Sequence, residues 1–156
     1  MKTKKNSRVK LTARGRHAVM AMVELSIQGK NTPVPLSRIS ASGNISLSYL
    51  EQLFAALRRH GLVKSYRGPG GGYVLARPAV EIMVSDILVA AEDCLPAKRT
   101  SNDDVPEEFG NNQTRSLWSH ISEILHAALQ TVTLEDVAND NLDNHQASNK
   151  LFESLR

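Results

Sequence analysis

The chain has 156 residues, 41% of them hydrophobic, which is enough for one domain with an extension or for two small domains. Its one cysteine excludes an internal disulfide framework and favours a reducing compartment. The apolar run from Ala18 to Ile27 is interrupted by Glu24 and is too short to span a bilayer. We therefore expect a cytoplasmic protein with no signal peptide and no membrane association.

The net charge of +3 conceals an unequal distribution of charge along the chain. Residues 1–77 contain 14 Lys and Arg against 2 Asp and Glu, a net charge of +12. Residues 78–156 contain 5 against 14, a net charge of −9. Such a basic excess in one half is typical of proteins that bind nucleic acids, although a solvated basic surface is the alternative.

The N-terminal segment is predicted to be a basic arm followed by a helix. Residues 1–9 are basic and hold little to bury, so we expect them to be flexible. A helix is predicted to begin after Thr12, its N-cap, and to end at Gly29. Its first turns carry Arg14, Arg16 and His17, whose side chains can bind a phosphate together with the backbone N–H groups.

Two further helices then follow in the order of a helix-turn-helix. A short helix from Leu36 to Ser42 ends at a Gly-Asn turn, and a second helix runs from near Ser46 to Gly61. The predicted buried side of the second helix consists of Ile45, Leu47, Leu50, Leu53, Phe54 and Leu57. Its N-cap is either Ser46, or Ser48 with Glu51 completing a capping box.

A β-hairpin is predicted from Leu62 to Leu75, which completes a winged helix-turn-helix domain over residues 10–83. The turn from Arg67 to Gly72 contains four glycines, so that Gly68 and Gly70 allow close approach to a phosphate. Arg67 at the base of the turn is placed to enter a minor groove. The turn lacks the Lys-Ser/Thr pair of a P-loop and joins two strands, which excludes a nucleotide-binding loop.

The polar side of the second helix is predicted to read DNA. It exposes Ser48, Tyr49, Glu51, Gln52, Ala55 and Arg59. Gln pairs with the adenine edge, Glu accepts from the N4 amino group of cytosine, and Ser serves either. Because an acidic residue weakens non-specific binding to DNA, we expect Glu51 to select sites that offer a cytosine donor, with the capping box as its alternative role.

The C-terminal half is predicted to contain a linking helix at 84–93, a loop at 94–114 without periodicity, a dimerisation region at 115–138 and a poorly ordered polar tail at 139–156. A heptad-like seam in the dimerisation region consists of Trp118, Ile121, Leu125, Ala128 and Val132. We expect this seam to pair with a second copy, or alternatively to pack on its own winged domain. The predicted fold is therefore mainly α.

Four segments resemble the winged-helix regulators of the Rrf type, in particular the IscR-like iron–sulfur cluster regulators. They are PVPLSRIS, ISLSYLEQLF, LRRHGLV and RGPGGGY. The resemblance implies a homodimer, joined through the long helix, that controls iron–sulfur biogenesis or iron homeostasis genes. We expect it to act as a repressor on double-stranded DNA at a palindromic operator. The DNA contacts that the resemblance implies are Ser46, Ser48, Tyr49, Glu51, Gln52 and Arg67.

The chain departs from this family in the loop that binds a 2Fe–2S cluster. The better-known members place three cysteines and a histidine there. Alignment on the segment TRSLW puts Asn112 at the position of the third cysteine and Arg115 at that of the histidine. The sequence retains only Cys94, which lies before the usual first ligand.

Several roles remain open for Cys94. It could hold a 2Fe–2S cluster with further ligands from His120, Glu123 and His126, which lie three residues apart on one helix. In a regulator without a cluster it could be a redox-sensitive thiol or a small buried residue. An enzyme with Cys94 as nucleophile and His120 or His126 as base is a remote alternative that no catalytic motif supports, so we expect no enzyme. The basic excess also argues against a protein adaptor that binds no DNA.

Overall fold

The computed structural model describes residues 11–30, 32–94 and 112–142. In this part of the chain six α-helices and one two-stranded sheet follow the predicted order of a winged helix-turn-helix. The elements are α1 (Ala13–Gln28), α2 (Leu36–Gly43), α3 (Leu47–Arg59), β1 (Val63–Tyr66), β2 (Gly72–Leu75), a 3₁₀ helix (Ala79–Glu81), α4 (Val84–Glu92), α5 (Asn112–Leu129) and α6 (Leu134–Ala138). The predicted arm at 1–9, most of the predicted loop at 94–114 and most of the tail at 139–156 lie outside the described residues.

Helix α1 has the predicted boundaries because both caps form. The Oγ1 atom of Thr12 accepts a hydrogen bond from the Gly15 backbone N–H at 3.1 Å, which satisfies one of the free donors of the first turn. At the other end the backbone N–H of Gly29 donates to the Leu25 carbonyl at 2.8 Å. Ala18 and Met22 are fully buried, and the helix packs mainly against α4 and α6.

Helix α3 follows the predicted course with two corrections. Its N-cap is Ser46, with no hydrogen bond from the side chain, so the capping box of Ser48 and Glu51 is wrong: the helix begins at Leu47 and Ser48 lies inside its first turn. The core stripe is fully buried at Leu50, Leu53, Phe54 and Leu57. Leu47, however, is 42% exposed, and its assignment to the buried stripe is wrong. Gly61, with a φ of +70°, follows the C-cap as predicted.

The turn between α2 and α3 is short and internally bonded. Asn44 ends α2 in the left-handed region, with a φ of 50°, which Asn tolerates better than most residues. The Ser40 hydroxyl donates to the Ile45 carbonyl at 2.6 Å, across the turn. These contacts fix the direction in which α3 leaves the turn.

The hairpin is attached to the domain at two points. Strands β1 and β2 pair antiparallel, with Val63 opposite Leu75. Val34, before α2, exchanges two backbone hydrogen bonds of 2.9 Å with Tyr73, and the Tyr73 ring packs edge-on against Phe54 of α3 at a centroid distance of 4.9 Å. A Cβ added to Gly72 would lie 2.4 Å from the Val34 carbonyl oxygen, so this approach requires glycine. The wing is therefore held against α3.

Helix α5 begins at Asn112, three residues before the predicted Arg115. Its apolar stripe has two environments. Towards the C-terminus, Leu125 and Leu129 pack on Val84 and Leu88 of α4. Nearer the N-terminus the apolar residues are uncovered in the described chain; they are Leu117 (53% exposed), Trp118 (61%), Ile121 (42%) and Ile124 (40%). These four residues are called the α5 apolar face below.

Candidate nucleic-acid interface

The N-terminal half of α3 carries a group of exposed polar residues. Ser46, Ser48, Glu51 and Gln52 are all exposed, and they fall within the first two turns. We call these four residues the reading face. Because the buried stripe of α3 faces the core, the reading face is directed away from the protein, as a helix that enters a major groove requires. The structure therefore brings together four of the residues that the sequence assigned to DNA contact.

Tyr49 lies differently from its neighbours on α3. It is partly buried, and its hydroxyl is 3.4 Å from Nδ1 of His17 on α1, with the two rings nearly perpendicular at 85°. Burial raises the pKa of Tyr49; Cys94, once ionised, and Glu92 add to the rise, and Arg14 opposes it. The hydroxyl thus remains protonated at neutral pH and lies between α1 and α3. The sequence placed His17 with Arg14 and Arg16 at the start of α1, but no local pattern predicted its contact with Tyr49 of α3.

The first turn of α1 is connected to the end of α4. Arg14 is partly buried and Arg16 is exposed, so the Arg16 side chain is the more accessible of the two to a phosphate. The Thr12 hydroxyl donates a hydrogen bond of 2.7 Å to Oε1 of Glu92. The start of α1 therefore has an acidic neighbour, Glu92, that its own sequence does not supply.

Arg59 lies at the opposite end of α3 from the reading face. Its Nη2 atom donates to the Asp93 backbone carbonyl at 2.8 Å, while the neighbouring His60 pairs with the Asp93 carboxylate at 2.8 Å. The structure therefore places Arg59 against the end of α4 rather than beside Ser48 and Gln52.

The tip of the wing is open and basic. Arg67, Gly68 and Gly70 are exposed, and both glycines have positive φ values, 97° and 75°. A shallow groove beside the wing is lined by Arg58, Lys64 and Tyr66 among others, and Arg58 donates to the Ser65 hydroxyl at 3.2 Å. Arg58 and Lys64 extend the basic surface from α3 to the wing. Only the general charge excess pointed to these two residues in the sequence.

Cys94 is 7% exposed and belongs to the main hydrophobic core. Burial raises the pKa of its thiol, and the nearby guanidinium groups of Arg14 and Arg59 oppose that shift. The other proposed ligands lie on α5: His120 and Glu123 are exposed, whereas Nε2 of His126 is 2.9 Å from the Gln130 side-chain amide. Within the residues that the structure describes, no group of three or more His, Cys, Asp or Glu side chains is arranged to hold a metal ion. The described residues do not fit a 2Fe–2S cluster.

Comparison with known proteins agrees with this architecture. The family model named Rrf2 and described as an iron-dependent transcriptional regulator matches residues 11–140. The chain belongs to the Rrf2 family of transcriptional regulators. The resemblance noted in the sequence is thereby confirmed, and so is the predicted fold of a mainly helical winged helix-turn-helix protein.

Three relatives illustrate the similarity. The regulator IscR of Photorhabdus laumondii is 40% identical over 132 residues, which cover 85% of this chain and 80% of the relative. Among solved structures, IscR of T. potens has a TM-score of 0.67 at 36% identity, covering 85% of this chain and 88% of that one. CymR, the global cysteine regulator of B. subtilis, has a TM-score of 0.64 at 37% identity, covering 83% and 96%.

As a family member the chain is a helix-turn-helix regulator of transcription that binds DNA. The Photorhabdus relative is named as a transcriptional regulator and the B. subtilis relative as the global cysteine regulator. No helix in the described part of the chain combines the length and the apolar character that crossing a membrane requires.

Proposed function

We propose that the protein is a homodimeric repressor that binds a palindromic operator at genes of iron–sulfur cluster biogenesis or iron homeostasis. The α5 apolar face carries the proposal. Large apolar side chains that are contiguous and exposed on one helix mark an interaction surface. A second copy is the natural occupant because the same face on each chain makes a self-complementary contact around a two-fold axis.

A two-fold dimer also explains how DNA would be bound. Each chain contributes one reading face and one wing, and two copies related by a two-fold axis recognise two half-sites of inverted sequence. The net charge of +12 over residues 1–77 supplies the attraction to the phosphates. Control of iron-related genes is supported by the family description and by the relatives named IscR.

Sedimentation equilibrium tests the dimer. The wild-type chain should sediment as a dimer and select a palindrome from random double-stranded DNA. Ile121→Glu should yield a folded monomer with much weaker operator binding, because it would bury one carboxylate from each copy in the apolar dimer interface. Ile27→Glu is the matched control, since Ile27 is 52% exposed on α1, and it should remain dimeric. A wild-type monomer that binds its operator as a single chain would contradict the proposal.

The signal that controls the repressor is proposed to act near Cys94, without a step through a cluster, because the described residues do not supply a ligand set. The experiment is purification without oxygen, followed by an iron assay and a visible spectrum, before and after Cys94→Ala. Iron and colour that disappear in the variant would establish a cluster held by this thiol. A wild-type protein that stays colourless and iron-free after attempted reconstitution would exclude a bound cluster.

A second candidate makes the thiol of Cys94 itself the sensor, as a redox-sensitive group in a regulator without a cluster. The observation that favours it is that the two residues before Cys94 bond to other helices: Glu92 accepts from Thr12 at the start of α1, and the Asp93 carbonyl accepts from Arg59 of α3. Because the thiol is buried and its pKa is raised, its oxidation is expected to be slow. Hydrogen peroxide would oxidise the thiolate to a sulfenic acid while being reduced to water. In this case peroxide changes the DNA affinity of the iron-free wild type and leaves Cys94→Ala unaffected. An equal response of both proteins would contradict this candidate.

A further inference from the structure

Leu47 is an apolar residue in a polar setting. It is the first residue of α3 and is 42% exposed, while the other leucines of that helix are fully buried. The sequence pattern assigned it to the buried stripe, but in the structure it lies outside the core. An isolated exposed leucine is ordinary on a protein surface, so its meaning depends on its neighbours.

The neighbours of Leu47 belong to the reading face. Ser46 and Ser48 flank it in the chain, and both are exposed. Glu51 is four residues further along, so it lies on the same side of the helix one turn away. Leu47 is therefore a single exposed apolar side chain, one helical turn from the Glu51 carboxylate that is proposed to read cytosine.

The chemistry of the major groove restricts what the Leu47 side chain can contact there. The base edges there present hydrogen-bond donors and acceptors, and their one apolar group is the C5 methyl of thymine. A leucine gains nothing from the polar edges, but it removes apolar surface from water when it meets that methyl group. A protein partner is a poorer fit, since it would also have to cover the charge of Glu51.

We propose that Leu47 reads thymine through its C5 methyl group, at a base pair close to the one that Glu51 reads. Leu47 is thus a specificity-determining residue. The inference rests on the proposed function, because it requires that α3 enters the major groove of a specific operator.

Deoxyuridine isolates the methyl group because it lacks only that group and pairs in the same way. An operator is first selected from random DNA with the wild-type protein, and each thymine is then replaced singly by deoxyuridine. At one thymine in each half-site the wild type should lose affinity about fourfold, the effect of one methyl group removed from contact. Leu47→Ala should bind both versions of that site equally.

Matched variants distinguish loss of the contact between Leu47 and the thymine methyl group from a non-specific effect of substitution. Ile27→Ala removes a comparably exposed aliphatic side chain from α1 and should retain the fourfold discrimination. Leu47→Met keeps the apolar contact and should retain it too, while Leu47→Gln, which keeps the length of the side chain, should lose it. A thermal melt confirms that each variant is folded.

The possible failures are distinguishable. If no sequence is enriched from the random pool, the proposed function falls and this inference falls with it. If an operator is enriched but lacks thymine or tolerates deoxyuridine at every position, only the role of Leu47 is overturned. Discrimination that persists in folded Leu47→Ala also overturns it, as does a change of oligomeric state in that variant.

Discussion

The hydroxyl of Thr12 donates a hydrogen bond of 2.7 Å to the carboxylate of Glu92, 80 residues away in the chain. Glu92 is the last residue of α4, and the next residue, Asp93, accepts from Arg59 at the end of α3. The two residues before Cys94 are therefore bonded to the start of α1 and to the end of the recognition helix. This contact connects the two halves of opposite charge.

Thr12→Val should lower the free energy of unfolding by about 1–2 kcal/mol. Valine has nearly the same shape, but it removes both the N-cap acceptor and the donor to Glu92. Urea denaturation measures the loss. Thr12→Ser is the control that retains both bonds and should lie close to wild type. Equal stability of the two variants would show that neither hydrogen bond contributes.

Glu51→Ala should relax sequence preference more than it reduces affinity. Glu51 is exposed on the reading face, and because Ser48 lies inside the helix rather than at its cap, the competing capping role is removed. Competition binding on the operator and on versions with each cytosine replaced measures the change, with about 1–3 kcal/mol expected at the cytosine that is read. Glu81→Ala removes an exposed acid elsewhere and controls for net charge. Uniform weakening across all sites would contradict the reading role.

Gly72→Ala should destabilise the domain and weaken DNA binding together. Its new Cβ would lie 2.4 Å from the Val34 carbonyl, so the bridge between Val34 and Tyr73 must open and the wing must move. We expect a loss of about 2 kcal/mol or more in denaturant unfolding. Gly68→Ala, at the open tip, also has a strained φ but meets nothing within 4 Å. If it costs as much stability as Gly72→Ala, close approach of the two backbones is not the cause.

Cys94 should react slowly with iodoacetamide at neutral pH. Burial raises the pKa of this thiol from its ordinary value of 9.0, so the thiolate that attacks is scarce at pH 7. The rate should still be climbing above pH 9, whereas in urea it should level off near the ordinary pKa. Mass spectrometry follows the reaction. A folded protein whose thiol titrates below 9 would contradict the direction of the shift.

The sequence predicted best where the determining interactions are local. The boundaries of α1 follow from Thr12 and Gly29, which satisfy the ends of that helix through bonds to near neighbours. The return of the chain after α3 follows from Gly61, since a positive φ favours glycine. Such features depend on a few adjacent residues, and a single sequence contains them.

The sequence-based predictions were wrong where the position of a side chain depends on elements distant in the sequence. Leu47 matches the period of the buried stripe but lies at the first turn of α3, outside the core against which that stripe packs. Tyr49 was placed on the exposed side, yet its hydroxyl lies beside His17 of α1. Similarly, no local pattern pairs Arg59 with Asp93. Contacts between residues far apart in sequence leave no periodic signal.

The salt dependence of operator binding tests the central claim most directly. A dimer that reads its operator through two basic domains should lose affinity steeply with salt, with a slope of log K against log salt of about −0.9 for each phosphate contacted. At each salt concentration it should also bind the operator far more tightly than random DNA of equal length. A flat slope, or equal affinity for the operator and random DNA, would contradict the account.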